Sequence, residues 1–287
     1  MTSFPTIAIK QCCPVCDGEV WKPVRTEPEG RLVRCGTCQF LYVYPRPTAE
    51  QLKALYDNEY FSLDDLASCL SFRTPVFQQC LRHLDLIAGD GRRLLDVGCG
   101  TGEFVAQALL QCWDAVGIES SRMAADFASE HNHLPVYNAV LGCAPFEAGS
   151  FDVVTLLDVL EHLLNPRQEI SQVYELLKPG GIVVVRVPNT LFHLPKARVC
   201  SLLGISVSNL EMRYHLNHFT PHTLSSLLRT VGFDVLSIEV GASETTAHAA
   251  WASPRAKRWY VKTAHLMHSL TGVNFGNIMV AYARKPA

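Results

Sequence analysis

The sequence predicts an α/β protein with a small metal ribbon at its N-terminus, and three stretches carry that expectation. Leu94-Leu95-Asp96-Val97 is apolar apart from one acid, Gly98, Gly100 and Gly102 follow at alternate positions, and Phe104 to Leu110 resumes with helical spacing. That is the pattern of strand, tight turn and helix. Phe151 to Leu157 is a near-continuous apolar run, as a strand buried on both faces should be. Cys13-Pro14-Val15-Cys16 and Cys35-Gly36-Thr37-Cys38 are two Cys-x-x-Cys knuckles with eighteen residues between them, a four-cysteine zinc spacing.

Composition narrows the classes. A chain of 287 residues, 48% hydrophobic and 18% charged, has room for one large domain plus a small appendage. The net charge of −2 gives no bulk pull toward nucleic acid or an anionic membrane. No apolar run approaches the ~20 residues of a membrane span, and Met1 to Lys10 lacks the basic and apolar blocks of a signal peptide, so a cytoplasmic protein is expected. Five of the 11 cysteines crowd between Cys12 and Cys38, and the other six are scattered singly.

Residues 1–46 are expected to form the ribbon. Four thiolates, Cys13, Cys16, Cys35 and Cys38, suit structural zinc, because four protein ligands close the coordination sphere. Val20 to Lys22 and Arg31 to Arg34 read as its strands, and Cys12 as a bystander. A redox Cys-x-x-Cys is the alternative. After Tyr44-Pro45-Arg46-Pro47, an extended turn, Thr48 is a candidate N-cap for a helix Ala49 to Tyr56, which opens the main domain, 47–287. Tyr56 to Phe61 is aromatic and reads as core anchors. A helix over Thr74 to Ile87 then leads to the central strand.

Glycine suits the turn after that strand because it takes positive φ freely and lets a ligand lie against the backbone. The third glycine comes one position earlier than in the dinucleotide fingerprint, and Asp96 would repel a phosphate. A nucleotide-like ligand with a cationic part is therefore expected. Asp96-Val97-Gly98-Cys99-Gly100-Thr101-Gly102 resembles the first motif of the class I S-adenosylmethionine-dependent methyltransferases. That resemblance implies a doubly wound, seven-stranded, mostly parallel, Rossmann-like sheet. It also implies S-adenosylmethionine held by Asp96, Gly98, Cys99, Gly100, Gly102, Glu119, Ser120 and Asp158, with the aromatic segment Tyr56 to Phe61 folding over the active site. Glu119 ends an expected strand Ala115 to Ile118, and in the resembled family an acid there takes both ribose hydroxyls; a carboxylate accepts two hydrogen bonds at once. The plain alternative is an exposed acid at a strand end.

A helix Arg122 to His131 and a strand Pro135 to Val140 come next. The family often has an acid just beyond to bind adenine, and Asn138 to Gly142 has none, leaving backbone groups or Asn138. Asp158, Glu161 and His162 then fall at the carboxyl end of the Phe151 strand, where open α/β sheets bind ligands. The segment resembles the branch containing the ubiquinone-biosynthesis O-methyltransferases. A similar acid, acid, histidine set there is associated with a divalent metal, so Asp158, Glu161 and His162 could hold magnesium. Otherwise the two acids mark a helix start. Leu176 to Gly181 closes a helix and opens the strand Ile182 to Val187.

Residues 190–215 and 241–272 depart from the minimal fold and are expected to build the acceptor side; a membrane-touching helix is the other reading of the first, though Lys196 and Arg198 are few basic residues for it, and the second, with its basic run Arg255, Lys257 and Arg258, reads as a lid, a dimer element or an acceptor-side helix. Tyr214 to Pro221 resembles a histidine-rich segment that faces substrate in the family. His218, His215 and then His162 are the candidate bases for a hydroxyl acceptor, with core or capping roles as the alternative. Thr223 to Val231 reads as a helix capped by Gly232, Phe233 to Val240 as a strand, and Asn274 to Arg284 as the last strand, which the family inserts antiparallel.

The resulting expectation is methyl transfer to a small-molecule acceptor, most readily an oxygen of a metabolite, sugar or natural-product intermediate. An RNA methyltransferase that docks RNA on its ribbon and a non-catalytic cofactor-binding protein are the rivals. A homo-oligomer is compatible with this reading.

Overall fold

The computed structural model describes residues 12–55, 73–204, 210–241, 262–264, 267, 270–271, 274 and 276–287. The aromatic segment Tyr56 to Phe61 and the basic run Arg255, Lys257 and Arg258 lie outside the described residues.

The ribbon comprises β1 (Trp21–Glu27), β2 (Gly30–Cys35) and β3 (Leu41–Tyr44), paired antiparallel in that order. α1 (Ala49–Leu55) follows, and α2 (Thr74–Ile87) buries Val76, Phe77, Cys80, Leu81 and Leu84 on one face. Then come β4 (Arg93–Val97), α3 (Glu103–Leu110), β5 (Asp114–Glu119) and α4 (Arg122–Asp126). α4 is shorter than its sequence pattern because Phe127–His131 continues it as a π turn. β6 (Val136–Asn138), β7 (Phe151–Leu157), α5 (Pro166–Leu176) and β8 (Leu177–Pro188) complete the parallel part. The remaining elements are α6 (Thr190–Leu202), β9 (Asn217–His218), α7 (Pro221–Val231), β10 (Asp234–Val240) and β11 (Ile278–Arg284).

Seven strands form one sheet in the order β10-β11-β8-β7-β4-β5-β6. β4 pairs parallel with β5 and β7, β5 with β6, and β7 with β8, whereas β11 runs antiparallel to both β8 and β10. β4 and β7 are the central strands, and Leu94, Leu95, Val153, Val154 and Leu156 are fully buried. The continuous apolar pattern thus reflects helices on both faces. α7 has strong local signals: Thr220 and Thr223 form a reciprocal capping box, Pro221 stands in the first turn, and Gly232 ends the helix at φ 115°.

β3 does not stop at the ribbon. Its outer edge pairs with β9, Leu41 opposite His218 and Tyr42 opposite Asn217. One face of this four-stranded sheet packs Phe40 on Phe219, ring centroids 5.1 Å apart, and the other packs Leu32, Leu41 and Val43 with Leu194 and Ala197 of α6.

Candidate active site

The carboxyl ends of β4 and β5 meet at the glycine turn. Gly98, Gly100 and Gly102 have φ of 67°, 55° and 80°, but for different reasons. A Cβ on Gly98 would stand 2.6 Å from Val159 Cγ2 and one on Gly102 2.5 Å from Leu134 Cδ1, while one on Gly100 meets nothing within 4 Å. Gly98 and Gly102 let the turn pack against the protein; Gly100 faces open space where a ligand can reach the backbone. Glu119 braces the turn, Oε2 accepting from Gly100 N at 3.0 Å and Oε1 from Ser121 N at 2.7 Å and Ser120 Oγ at 3.3 Å. Asp96 is buried beneath it and accepts from Thr155 Oγ1 at 2.6 Å; burial pushes its carboxyl up to about 7. The Cys99 thiol lies against Gly117, where a Cβ would meet Sγ at 2.5 Å, so only its backbone is left for the turn's open side. Asn138 Nδ2 donates to the backbone oxygens of Glu119 and Ser120, at 2.9 and 3.1 Å, and thereby ties β6 to β5.

At the end of β7, Asp158 takes a left-handed φ of 61° and its carboxylate pairs with both Arg186 and Arg73. Burial would raise this acid, but the guanidiniums hold it below its ordinary value. The expectation that Asp158 joins Glu161 and His162 around magnesium is corrected accordingly: two cations already occupy it. The group that does converge is Glu161, His162 and His215, whose ligand atoms all lie within 4.8 Å of one another.

His162 Nδ1 lies 3.0 Å from Tyr214 O, and its ring meets that of His215 edge-on at 4.9 Å. His218, on β9, is buried with no partner for Nε2 among the described residues. α6 adds His193, which sequence reasoning missed: Nε2 lies 2.9 Å from Asn277 O, and Nδ1 is buried without a partner among the described residues. Burial drives the imidazoles down, to about 3 for His162 and His218 and about 4 for His215, so all three are neutral at pH 7. Glu161 goes the other way, raised by burial and by Asp158.

Residues 72–238, more than half of the chain, match the family model described as a methyltransferase domain. The chain belongs to this methyltransferase family. A ubiquinone biosynthesis O-methyltransferase of Psychrobacter arcticus is 27% identical over 183 residues, covering 60% of this chain and 66% of that protein. A counterpart from Nitrosococcus oceani is 35% identical over 136 residues, covering 45% and 56%. The chain spans roughly half to two thirds of the length of the curated relatives it matches. Among solved structures, a SAM dependent methyltransferase from Archaeoglobus fulgidus superposes with a TM-score of 0.54 at 21% identity, over 79% of this chain and 100% of that one. At that identity the likeness is one of fold, the seven-stranded sheet with its antiparallel strand.

Outside the matched residues, this methyltransferase carries its four cysteines as a compact cluster. Cys13 Sγ and Cys38 Sγ are 3.6 Å apart, as are Cys16 Sγ and Cys35 Sγ, close to the about 3.8 Å edge of a tetrahedron built on metal–sulfur bonds of about 2.3 Å. The knuckles are alike in backbone: Asp17 N donates to Cys13 O and Gln39 N to Cys35 O, with Asp17 and Gln39 both left-handed. Burial raises the Cys35 thiol, but the backbone amides of Cys38 and Thr37 outweigh it and bring it down to about 7. A side chain at Gly18 would press on Cys35 Sγ and Cys16 Sγ at 3.1 and 3.2 Å. Cys12 is outside the cluster. No helix among the described residues is long and apolar enough to cross a membrane.

Proposed function

We propose that this chain transfers the methyl group of S-adenosylmethionine to a small-molecule acceptor, with an oxygen as the target. The observation that carries the reading is Gly100, a left-handed glycine open to solvent whose N–H is fixed by Glu119 at the carboxyl edge of the sheet. Glu119 and the backbone of Gly98, Cys99, Gly100 and Gly102 hold the cofactor, with Asp96 beneath it and Ser120 beside the ribose. Asp158, pinned by its two arginines, shapes the methionine end. The bound cofactor supplies a methyl on an activated sulfonium, so what remains for the protein is alignment and removal of the acceptor proton. His218 Nε2, buried without a partner among the described residues, is the preferred proton acceptor, with His215 and His162 beside it. The relatives named for ubiquinone biosynthesis O-methylation support an oxygen target, while their partial coverage leaves the acceptor to this chain's own residues.

Zinc fits the four-thiolate cluster and is assigned there as a structural ion. Magnesium does not fit the acceptor side, where one carboxylate and two imidazoles are poor ligands for a hard ion and two guanidiniums adjoin. We propose residues 1–46 as the ribbon, 47–287 as the catalytic unit, and the cytoplasm as the protein's location.

Calorimetric titration of the full chain with S-adenosylmethionine and S-adenosylhomocysteine tests the reading. Binding in wild type that weakens about 10- to 100-fold in Glu119→Ala is expected, the size of a lost charged hydrogen bond. No binding by folded wild type overturns it.

A further inference from the structure

Arg46 reads in sequence as one residue of a turn between two prolines, yet the structure gives it four oxygen acceptors. Nη1 donates to Leu216 O at 3.3 Å and Asn217 Oδ1 at 3.1 Å, and Nη2 to Leu163 O at 3.1 Å and Leu164 O at 2.7 Å. Asn217 extends the net: Nδ2 donates to Leu160 O at 2.9 Å and Leu163 O at 2.6 Å, and its backbone N to Glu161 O at 2.9 Å. The turn bearing Glu161 and His162 and the segment running from His215 to His218 thus meet on one guanidinium, and neither is near residue 46 in sequence. β3, two residues before Arg46, carries the His218 segment on its edge. Burial lowers Arg46 only to about 10, so it stays charged at neutral pH. A planar guanidinium holds five N–H donors in fixed directions, whereas a lysine ammonium offers three on a flexible stem, so the arginine fixes four acceptors in one geometry.

We infer that Arg46 is a positioning residue, fixing the Glu161–His162 turn and the His215–His218 segment in one frame with the ribbon. The inference rests on the acceptor-side reading of those histidines. On it, the ribbon is a wall of the acceptor site, and what zinc rigidifies at one end the arginine transmits to the imidazoles at the other.

Hydrogen exchange of the full chain, read at the backbone amides of His162 and Asn217, tests this, with Arg46→Gln, Arg46→Lys and Asn217→Ala beside wild type. Arg46→Gln is expected to speed exchange at 160–164 and 214–218 more than tenfold, with β4 and β5 and the affinity for S-adenosylhomocysteine changed less than twofold. Arg46→Lys falls between, and adding Asn217→Ala to Arg46→Gln produces no more than the larger single effect. The imidazole nitrogen signals of His162 and His215 shift in Arg46→Gln. Unchanged exchange in both segments, or an equal rise across β4, β5, β7 and β8, overturns the inference. Should Arg46→Gln not accumulate as folded protein, Arg46→Lys carries the same comparison. Failure of wild type to bind S-adenosylhomocysteine would instead sink the methyl-transfer reading and leave the exchange result standing.

Discussion

Asp96 accepts a 2.6 Å hydrogen bond from Thr155 across the β4–β7 pair while its carboxyl, shut away from water, is raised to about 7. A group poised there exchanges its proton with the charge of what binds above it. Below pH 7 the carboxyl is neutral, and a ligand carrying a sulfonium favours the ionised form. Affinity for S-adenosylmethionine should therefore climb from pH 6 to pH 8, by up to about tenfold per unit below the pKa, with proton release. S-adenosylhomocysteine, which lacks the sulfonium, should show a flatter profile, and Asp96→Asn should flatten both. Titrations in two buffers of different ionisation enthalpy measure the proton directly.

The three turn glycines should separate into two kinds. Gly98→Ala forces a Cβ onto Val159 at a left-handed φ and should cost about 2–4 kcal/mol, seen as a melting point lower by about 5–10 °C. Gly100→Ala meets open space, so its cost is the about 1–2 kcal/mol of the left-handed backbone, and its larger effect should be on cofactor affinity. A thermal melt beside a calorimetric titration distinguishes them; equal melting losses would contradict the division.

His162, His215 and His218 share a direction of shift, all lowered by burial. The unfolded chain binds protons below about pH 6.5 that the folded rings refuse, so stability is complete above that pH and drains away as pH falls toward 4. Each ring contributes up to about 1.4 kcal/mol per pH unit in that window. Replacing any one by Gln should shallow the acid limb of a denaturation-against-pH curve, and an unchanged limb would show that the rings are not sealed as described.

The cysteine cluster predicts about one zinc per folded chain. Cobalt in its place should give the visible bands of a tetrahedral thiolate site, and Cys38→Ser should lose both metal and bands. Absorbance during cobalt titration reads the outcome.

Much of the sheet was legible because local chemistry repeats what the fold demands. α2 spans the very residues its apolar spacing marks, and Gly232 ends α7 as expected, although that helix starts at Pro221, two residues before the expected Thr223, under a capping box from Thr220. The glycine turn was legible for the same reason. What escaped was pairing between distant segments. A two-residue strand such as Asn217–His218 has no periodicity to read, and its place is set by β3. Arg186 did leave a signal, a lone charge inside the buried run Ile182 to Val187, and a buried arginine needs a partner; following that clue would have led to Asp158. Arg46 left none, since prolines on either side make any residue look like a turn.

β11 enters the large sheet between β8 and β10, with Met279 opposite Val187 on one side and Val240 on the other. It is made after both of its neighbours. While a ribosome is still adding residues 241–284, Val183, Val184, Val185 and Val187 of β8 form an apolar strand whose edge has no partner, and such edges recruit other chains. The topology that builds this site therefore gives the nascent protein an interval of exposure during synthesis, which slow translation or scarce chaperones would lengthen.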